Sequence, residues 1–339
     1  MDKLKVAVIG CGNIAPVHIS AIQSLENAEL YAVCDTDRDR ANNFANKYGA
    51  KAVYDYEKIL GDPEVDVVHI CTPHWLHEPM AVAAADTGKH IFLEKPAGLN
   101  VSEIESIVEA VNDSEIKCCV SFQNRQNPSI KYIKEHEDEF GKLLGIKGIL
   151  TWHRTMDYYN SGDWRGKWET EGGGLMVNQA IHTLDLLCYI GGEVESAKGF
   201  CARRLLDIEV EDTAVARVKY KNGAIGMIQG TTSVYPGYPR RMEFFGDKGS
   251  LVLEESTVIY LNVPEMPEMN ISRTNTKMNS SNNPASISHE EHKIQYQDVI
   301  KAIKTGSKLF YPLNEAIDSV KTILAIYDSS KENKDVYVK

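Results

Sequence analysis

No stretch of the 339-residue chain approaches the roughly 18 consecutive apolar residues that a membrane-crossing helix requires, so a spanning segment is not expected. The first three residues lead straight into a six-residue strand-like run, too short for the core of a signal peptide, and secretion is disfavoured. Positive charge is also in short supply. Lys and Arg number 37 against 48 Asp and Glu, for a net charge of -11. No basic stripe exists to hold a nucleic acid or an anionic membrane surface, because both need clustered Lys and Arg. The seven cysteines show neither C-x-x-C nor zinc-ligand spacing, and most fall in apolar runs where a thiol behaves as a small hydrophobe. The pattern predicts free thiols in a reducing cytoplasm and no bound metal. There is no internal repeat.

What is present is an ordinary globular composition: 43% hydrophobic and 25% charged residues, with 24 Gly and 12 Pro. At about 150 residues per domain the length asks for two domains. Charge is unevenly divided between them. Residues 1–122 carry 10 basic against 19 acidic side chains, whereas residues 123–339 carry 27 against 29.

The first 122 residues alternate β-rich runs (Leu4 to Ile9, Leu30 to Cys34, Val65 to Cys71, His90 to Leu93, Lys117 to Phe122) with stretches of helical periodicity. Repeated βαβ units of this kind predict a doubly wound parallel sheet. Beyond Phe122 come a helix over Pro128 to Phe140, a strand over Gly145 to Thr155, and a Gly-rich loop leading into a helix from Leu175 to Tyr189. Four further β runs between Val194 and Gly246, and a fifth over Ser250 to Asn262, predict a mainly antiparallel sheet. Pro264 to Ser288 reads as a long polar excursion, followed by helices over His289 to Lys304 and Asn314 to Lys331. The change of rhythm places the expected domain boundary near Phe122, between residues 1–122 and 123–339.

Four constellations carry chemistry. Gly10-Cys11-Gly12-Asn13-Ile14-Ala15 follows the opening strand and starts a helix. Its glycines permit a tight turn and close approach to a pyrophosphate, and the helix N-terminus offers N–H groups to it. Asp35 ends the second strand, where a carboxylate accepts ribose hydroxyls and repels a 2′-phosphate, so NAD is expected rather than NADP. Arg38 and Arg40 are the objection to that choice. The second and third constellations, Thr72-Pro73 with His77, and Glu94-Lys95-Pro96, close the next two strands of the alternation. Ligands of open parallel sheets bind at that end of the strands. The fourth is Gly172-Gly173-Gly174 followed by a helix whose Asn178, His182 and Asp185 stand at i, i+4 and i+7, a polar row on one face.

Together these motifs resemble the Gfo/Idh/MocA oxidoreductases, over essentially the whole chain. The resemblance implies a Rossmann domain followed by an α/β domain with an open, largely antiparallel sheet, whose outer face makes dimer or tetramer contacts. It maps the family's lysine onto Lys95 and its helix histidine onto His182, the pair that handles the substrate hydroxyl proton. Asn178 stands where many members carry Asp and, with Gln179, is similar to a branch that includes nucleotide-sugar 3-dehydrogenases. Cofactor contacts are expected from Gly10, Gly12, Asn13, Ile14, Asp35, Thr72, Pro73, His77, Glu94, Lys95, Trp164 and Arg165. Substrate contacts are expected from Arg125, His153, Arg154, Tyr158, Asn178, His182 and Tyr235, with Trp152 nearby. The implied activity is hydride transfer between NAD and a ring alcohol of a sugar, cyclitol, glycoside or nucleotide sugar. A dinucleotide- or sugar-binding regulator without turnover, and an NADPH-dependent carbonyl or imine reductase, are the alternatives.

Overall fold

A computed structural model describes residues 3–255, 257–264 and 289–338. The chain divides into two units, Met1–Gln123 with Ile287–Ile317, and Asn124–Ser286 with Asp318–Lys339. The return of 287–317 to the first unit differs from a plan that keeps everything after 122 together. Most of the polar excursion expected after Val263 falls in 265–288, outside the described residues.

In the first unit, strands β1 (Leu4–Ile9), β2 (Ala28–Cys34), β3 (Lys51–Val53), β4 (Val67–Ile70), β5 (His90–Leu93) and β6 (Cys118–Val120) form one sheet in the order β3-β2-β1-β4-β5-β6. Every pairing is parallel. Helices α1 (Ala15–Gln23), α2 (Arg38–Tyr48), α3 (Tyr56–Leu60), α4 (His77–Asp86) and α5 (Val101–Asp113) supply the crossovers. The β4 side chains are all buried, as expected of a parallel strand covered on both faces. The strand order reverses between β1 and β4, and such a switch point opens a crevice at the carboxyl ends of the strands.

The second unit opens with α6 (Pro128–Glu135), β7 (Leu143–Thr151) and the one-turn helices α7 (Met156–Tyr159) and α8 (Trp168–Glu171), which lead to α9 (Ile181–Gly191). Then come β8 (Val194–Ala202), β9 (Thr213–Tyr220), β10 (Ile225–Thr231), β11 (Arg241–Gly246), β12 (Ser250–Glu254) and β13 (Thr257–Asn262). Helix α10 (Glu290–Thr305) belongs to the first unit, whereas α11 (Ile317–Glu332, from Asp318 on) and β14 (Val336–Tyr337) complete the second. The eight strands run β13-β12-β11-β7-β10-β9-β8-β14, antiparallel throughout except for β7 with β10. The single run expected over Ser250 to Asn262 is two strands, reversed at Glu255 with φ +48°. One face of the sheet receives helices. A Cβ on Gly148 would lie 2.6 Å from Thr183 of α9, and one on Gly199 2.6 Å from Ile326 of α11, so the missing side chains let both helices settle. On the other face β9 alternates strictly and, among the described residues, leaves Val215, Arg217 and Lys219 exposed.

Candidate functional site

The nucleotide turn is built by the backbone. Gly10 has φ +96°, and a Cβ there would lie 2.7 Å from the Cys71 carbonyl oxygen, so only glycine lets the turn after β1 meet the end of β4. A Cβ on Gly12 would meet nothing within 4 Å, an open face on the turn that leads into α1. Asp35 braces the turn. Its Oδ2 accepts the Cys11 N–H at 2.9 Å and its Oδ1 accepts the Asp37 N–H at 2.9 Å. Each oxygen retains a lone pair for a ribose hydroxyl. Arg40 lies 3.5 Å from Asp35 and 3.3 Å from Asp37, while Arg38 stacks over Tyr54 at 4.9 Å, so both arginines are engaged locally. These features fit a dinucleotide: a close-approach turn, a helix N-terminus, and a carboxylate at the end of β2.

At the end of β5, Glu94 is buried and Lys95 partly exposed, and the Lys95–Pro96 bond is cis. Glu94 Oε1 pairs with His18 Nε2 at 2.7 Å, and Oε2 accepts the Lys95 N–H at 3.1 Å. Burial would push the Glu94 carboxyl up, but the His18 hydrogen bond and the charges of His18, Lys95 and His292 outweigh it and hold the group well below the usual carboxylate range. His18 lies 4.0 Å from the His69 ring and 4.7 Å from that of His292 of α10. Donor atoms of His18, His69 and Cys71, and of His18, Glu94 and His292, come within 4.8 Å of one another. Residues of metal-ligating type that look scattered in sequence thus converge around His18, which holds Glu94, while His69 Nδ1 pairs with the Tyr296 hydroxyl.

His77, expected at the cofactor, is fully buried. Its Nδ1 faces the Pro96 carbonyl at 2.7 Å and its Nε2 the Thr72 carbonyl at 2.9 Å, so it clamps the two turns together. Burial lowers its pKa against the pull of those two carbonyls.

In the second unit the expected helix over Leu175 to Tyr189 is two pieces. Leu175–Gln179 is wound as a π turn, closed by the Ala180 N–H to the Leu175 carbonyl at 2.7 Å, and α9 follows. Buried Glu211 sets this geometry. It accepts the Gly174 N–H at 3.0 Å, the Met176 N–H at 2.8 Å and the Tyr327 hydroxyl at 2.8 Å, and burial raises its pKa. The glycine run makes room for these partners: a Cβ on Gly173 would lie 2.1 Å from the Tyr327 hydroxyl, and one on Gly174 2.1 Å from the Glu211 carbonyl. The expected polar row is not one wet face. Asn178 and His182 are half-buried, but Asp185 is 1% exposed and takes Arg125 bidentately at 2.5 and 2.8 Å. Arg125 is thereby committed to the interior, with its plane 4.6 Å from the Tyr189 ring.

The remaining expected residues separate into two groups. His153 and Tyr235 meet edge to face at 5.0 Å, with Tyr235 82% exposed. Tyr158 lies among Arg154, Arg165, Asn178 and Gln179. Its hydroxyl accepts from Arg165 at 2.7 Å, Asn178 at 3.1 Å and Gln179 at 3.3 Å. Arg165 stacks on the rings of Tyr158 and Trp164 at 4.5 and 4.4 Å, and Arg154 lies 5.6 Å from Tyr158 and 5.0 Å from Trp152. Burial lowers the Arg154 pKa. Glu171 and Glu211 are the residues bracing the candidate site that sequence reasoning misses. An acidic residue directly before three glycines is the only local signal for Glu171, and Glu211 reaches the loop from 37 positions away.

Comparison with known proteins agrees with this layout. The family model described as "Oxidoreductase family, NAD-binding Rossmann fold" matches residues 4–122, and that of the GFO/IDH/MocA C-terminal domain matches 135–252. Myo-inositol 2-dehydrogenase of Thermotoga maritima is 29% identical over 269 residues, 76% of this chain and 78% of the relative. The NAD(+)-dependent scyllo-inositol 2-dehydrogenase of Bacillus subtilis is 30% identical over 261 residues, 74% of each chain. The WlbA dehydrogenase of Chromobacterium violaceum, solved with NADH and UDP-GlcNAcA, superposes with a TM-score of 0.90 at 28% identity, covering 100% of this chain and 97% of that one. With its nucleotide turn, its Glu94-Lys95-Pro96 segment and its glycine-led His182 helix in these places, the chain belongs to the GFO/IDH/MocA family of NAD-binding oxidoreductases.

Proposed function

We propose that the protein is an NAD-dependent dehydrogenase that oxidises a ring alcohol of a sugar or cyclitol, in free or nucleotide-linked form. The observation that carries this reading is Lys95, a partly exposed cation at the end of β5 whose backbone is fixed by the buried Glu94–His18 pair. The named relatives act on inositols, and the structural neighbour holds a nucleotide sugar, which supports a polyhydroxylated ring. Asp35, already braced by Cys11 and accompanied by Arg40, favours the unphosphorylated ribose of NAD.

In this mechanism Lys95 holds the reacting oxygen and stabilises the alkoxide as it develops, and His182 accepts the hydroxyl proton. Bound NAD supplies the hydride acceptor at nicotinamide C4. Trp164 and Arg165 border the nicotinamide or the sugar, and Tyr158, Asn178, His153, Arg154 and Tyr235 line the sugar side. Arg125 acts from behind, by holding Asp185 of the His182 helix. We further propose a cytoplasmic home for the seven free thiols, and self-association through the open sheet face, where Val215 and Ile225 are exposed. Among the described residues no helix is long and apolar enough to cross a membrane.

The test is NADH formation at 340 nm with inositols, hexoses, glycosides and nucleotide sugars. Turnover with at least one of them, sharply lowered in Lys95→Ala and His182→Ala while NADH still binds, supports the reading. Binding of NADH with no reduction across the panel would overturn it in favour of a regulator.

A further inference from the structure

The hydrogen bonds around Tyr158 have a direction, and one buried carboxylate sets it. Glu171 has no exposed surface. Its Oε2 accepts the Gly166 N–H at 2.5 Å, and Arg165 Nη1 lies 3.8 Å from its Oε1. The same Oε1 accepts from Asn178 Nδ2. A carboxylate can only accept, so the Asn178 amide must turn its NH2 toward Glu171. That NH2 is also the group 3.1 Å from the Tyr158 hydroxyl, and Arg165, 2.7 Å away, has no acceptor to offer. The phenol oxygen therefore receives hydrogen bonds from both.

Gln179 is the one neighbour whose amide could turn. With its Nε2 toward Tyr158 at 3.3 Å, it leaves a buried Oε1 without a hydrogen bond among the described residues; the reverse orientation would strand a buried NH2. An under-satisfied carbonyl is the cheaper of the two, so the Gln179 NH2 faces the phenol oxygen, as the longest of its three contacts. The Tyr158 proton is left to point away from this cluster.

We infer that Glu171, acting through Asn178, fixes Tyr158 as a hydrogen-bond donor to the substrate, so this part of the site takes an acceptor oxygen of the sugar. Glu171 is thus a positioning residue for specificity, an assignment that rests on the dehydrogenase reading above. A carboxylate, a carbonyl, a ring ether or a developing alkoxide satisfies such a donor. A substrate lacking that oxygen leaves it unpaired, which is how polar sites reject deoxy analogues.

Glu171→Gln makes the direction testable with little change of shape. The Gly166 N–H keeps the carbonyl oxygen of the substituted side chain, whose NH2 then faces Asn178, and Asn178 turns its oxygen inward. Tyr158 would donate to Asn178 and be lost to the substrate.

Steady-state kinetics with myo-inositol and UDP-GlcNAcA, whichever the unsubstituted enzyme oxidises, should show KM for the sugar raised about 10- to 100-fold in both Glu171→Gln and Tyr158→Phe. The turnover number should move less than about threefold and NADH affinity not at all, and the double variant should be no worse than either single one. An unchanged KM in a folded Glu171→Gln, or additive losses in the double variant, overturns the assignment. A neutron structure of the unsubstituted protein with NADH decides the same point without a substrate. Deuterium on the Tyr158 oxygen directed away from Asn178 and Gln179 supports the assignment, and deuterium directed at either of them overturns it. Absence of turnover with every sugar would instead count against the dehydrogenase reading.

Discussion

The two units prepare for their ligands by different means. In the first, main-chain groups are set by acceptors at the ends of the strands: Gly10 packs against the Cys71 carbonyl, the Cys11 N–H lies on Asp35, and the Lys95 N–H lies on Glu94. In the second, the candidate substrate groups are side chains ordered by buried carboxylates from other elements, Glu171 on Asn178 and Glu211 on the glycine loop. The contrast bears on charge as well. The unit with the strongest acidic excess carries the site for a polyanionic cofactor, so that site depends on local N–H groups and a helix N-terminus rather than on net charge.

The largest expected effect is chemical and belongs to the first unit. Lys95→Ala should lower turnover about 10²- to 10⁴-fold with NADH affinity intact, measured by steady-state kinetics and NADH fluorescence titration. Equal loss of NADH binding would mean that Lys95 holds the cofactor rather than the reacting oxygen. Next comes backbone strain. Gly10→Ala, at φ +96° and with a Cβ 2.7 Å from the Cys71 carbonyl, should cost about 1–3 kcal/mol in denaturant unfolding and abolish NADH binding. The second unit should respond otherwise. Glu211→Ala removes the acceptor of the Gly174 and Met176 N–H groups and of the Tyr327 hydroxyl, which should destabilise by about 1–3 kcal/mol while leaving NADH affinity unchanged.

How far the sequence could be read follows the same division. The parallel sheet was legible because βαβ units repeat with strand and helix periods, and the Gly10 to Ala15, Asp35 and Glu94-Lys95-Pro96 sites lie at strand ends that those periods mark. His77 was legible as a residue of the turn but not as a clamp, because its acceptors, Thr72 and Pro96, lie on two different turns. The π turn at Leu175–Gln179 could not be seen at all. It depends on Glu211, and three glycines followed by apolar residues read as an ordinary helix start. The return of α10 to the first unit was hidden for a similar reason: its apolar face, with Tyr296 stacked on Phe92 at 4.1 Å, does not name the partner it covers.

A smaller effect separates the units by pH. Glu94 is held well below its usual range in the folded chain, so it stabilises the first unit above the ordinary glutamate value of about 4.3, and that contribution fades as pH falls toward its folded value. Glu94→Gln should therefore unfold more easily than the unsubstituted protein near neutrality, and the gap should close on acidification below about pH 4. A gap independent of pH would assign the effect to packing. The smallest expected change is in cofactor choice: Asp35→Ala should narrow the preference for NADH over NADPH by about tenfold, read as the ratio of dissociation constants.

The most direct measurement is a crystal structure of the full chain with NADH and an oxidised sugar's parent alcohol. The account predicts Lys95 Nζ and a His182 ring nitrogen both within about 2.6–3.2 Å of the same substrate oxygen, on the carbon nearest nicotinamide C4. A bound sugar whose reacting oxygen is reached by neither would contradict it.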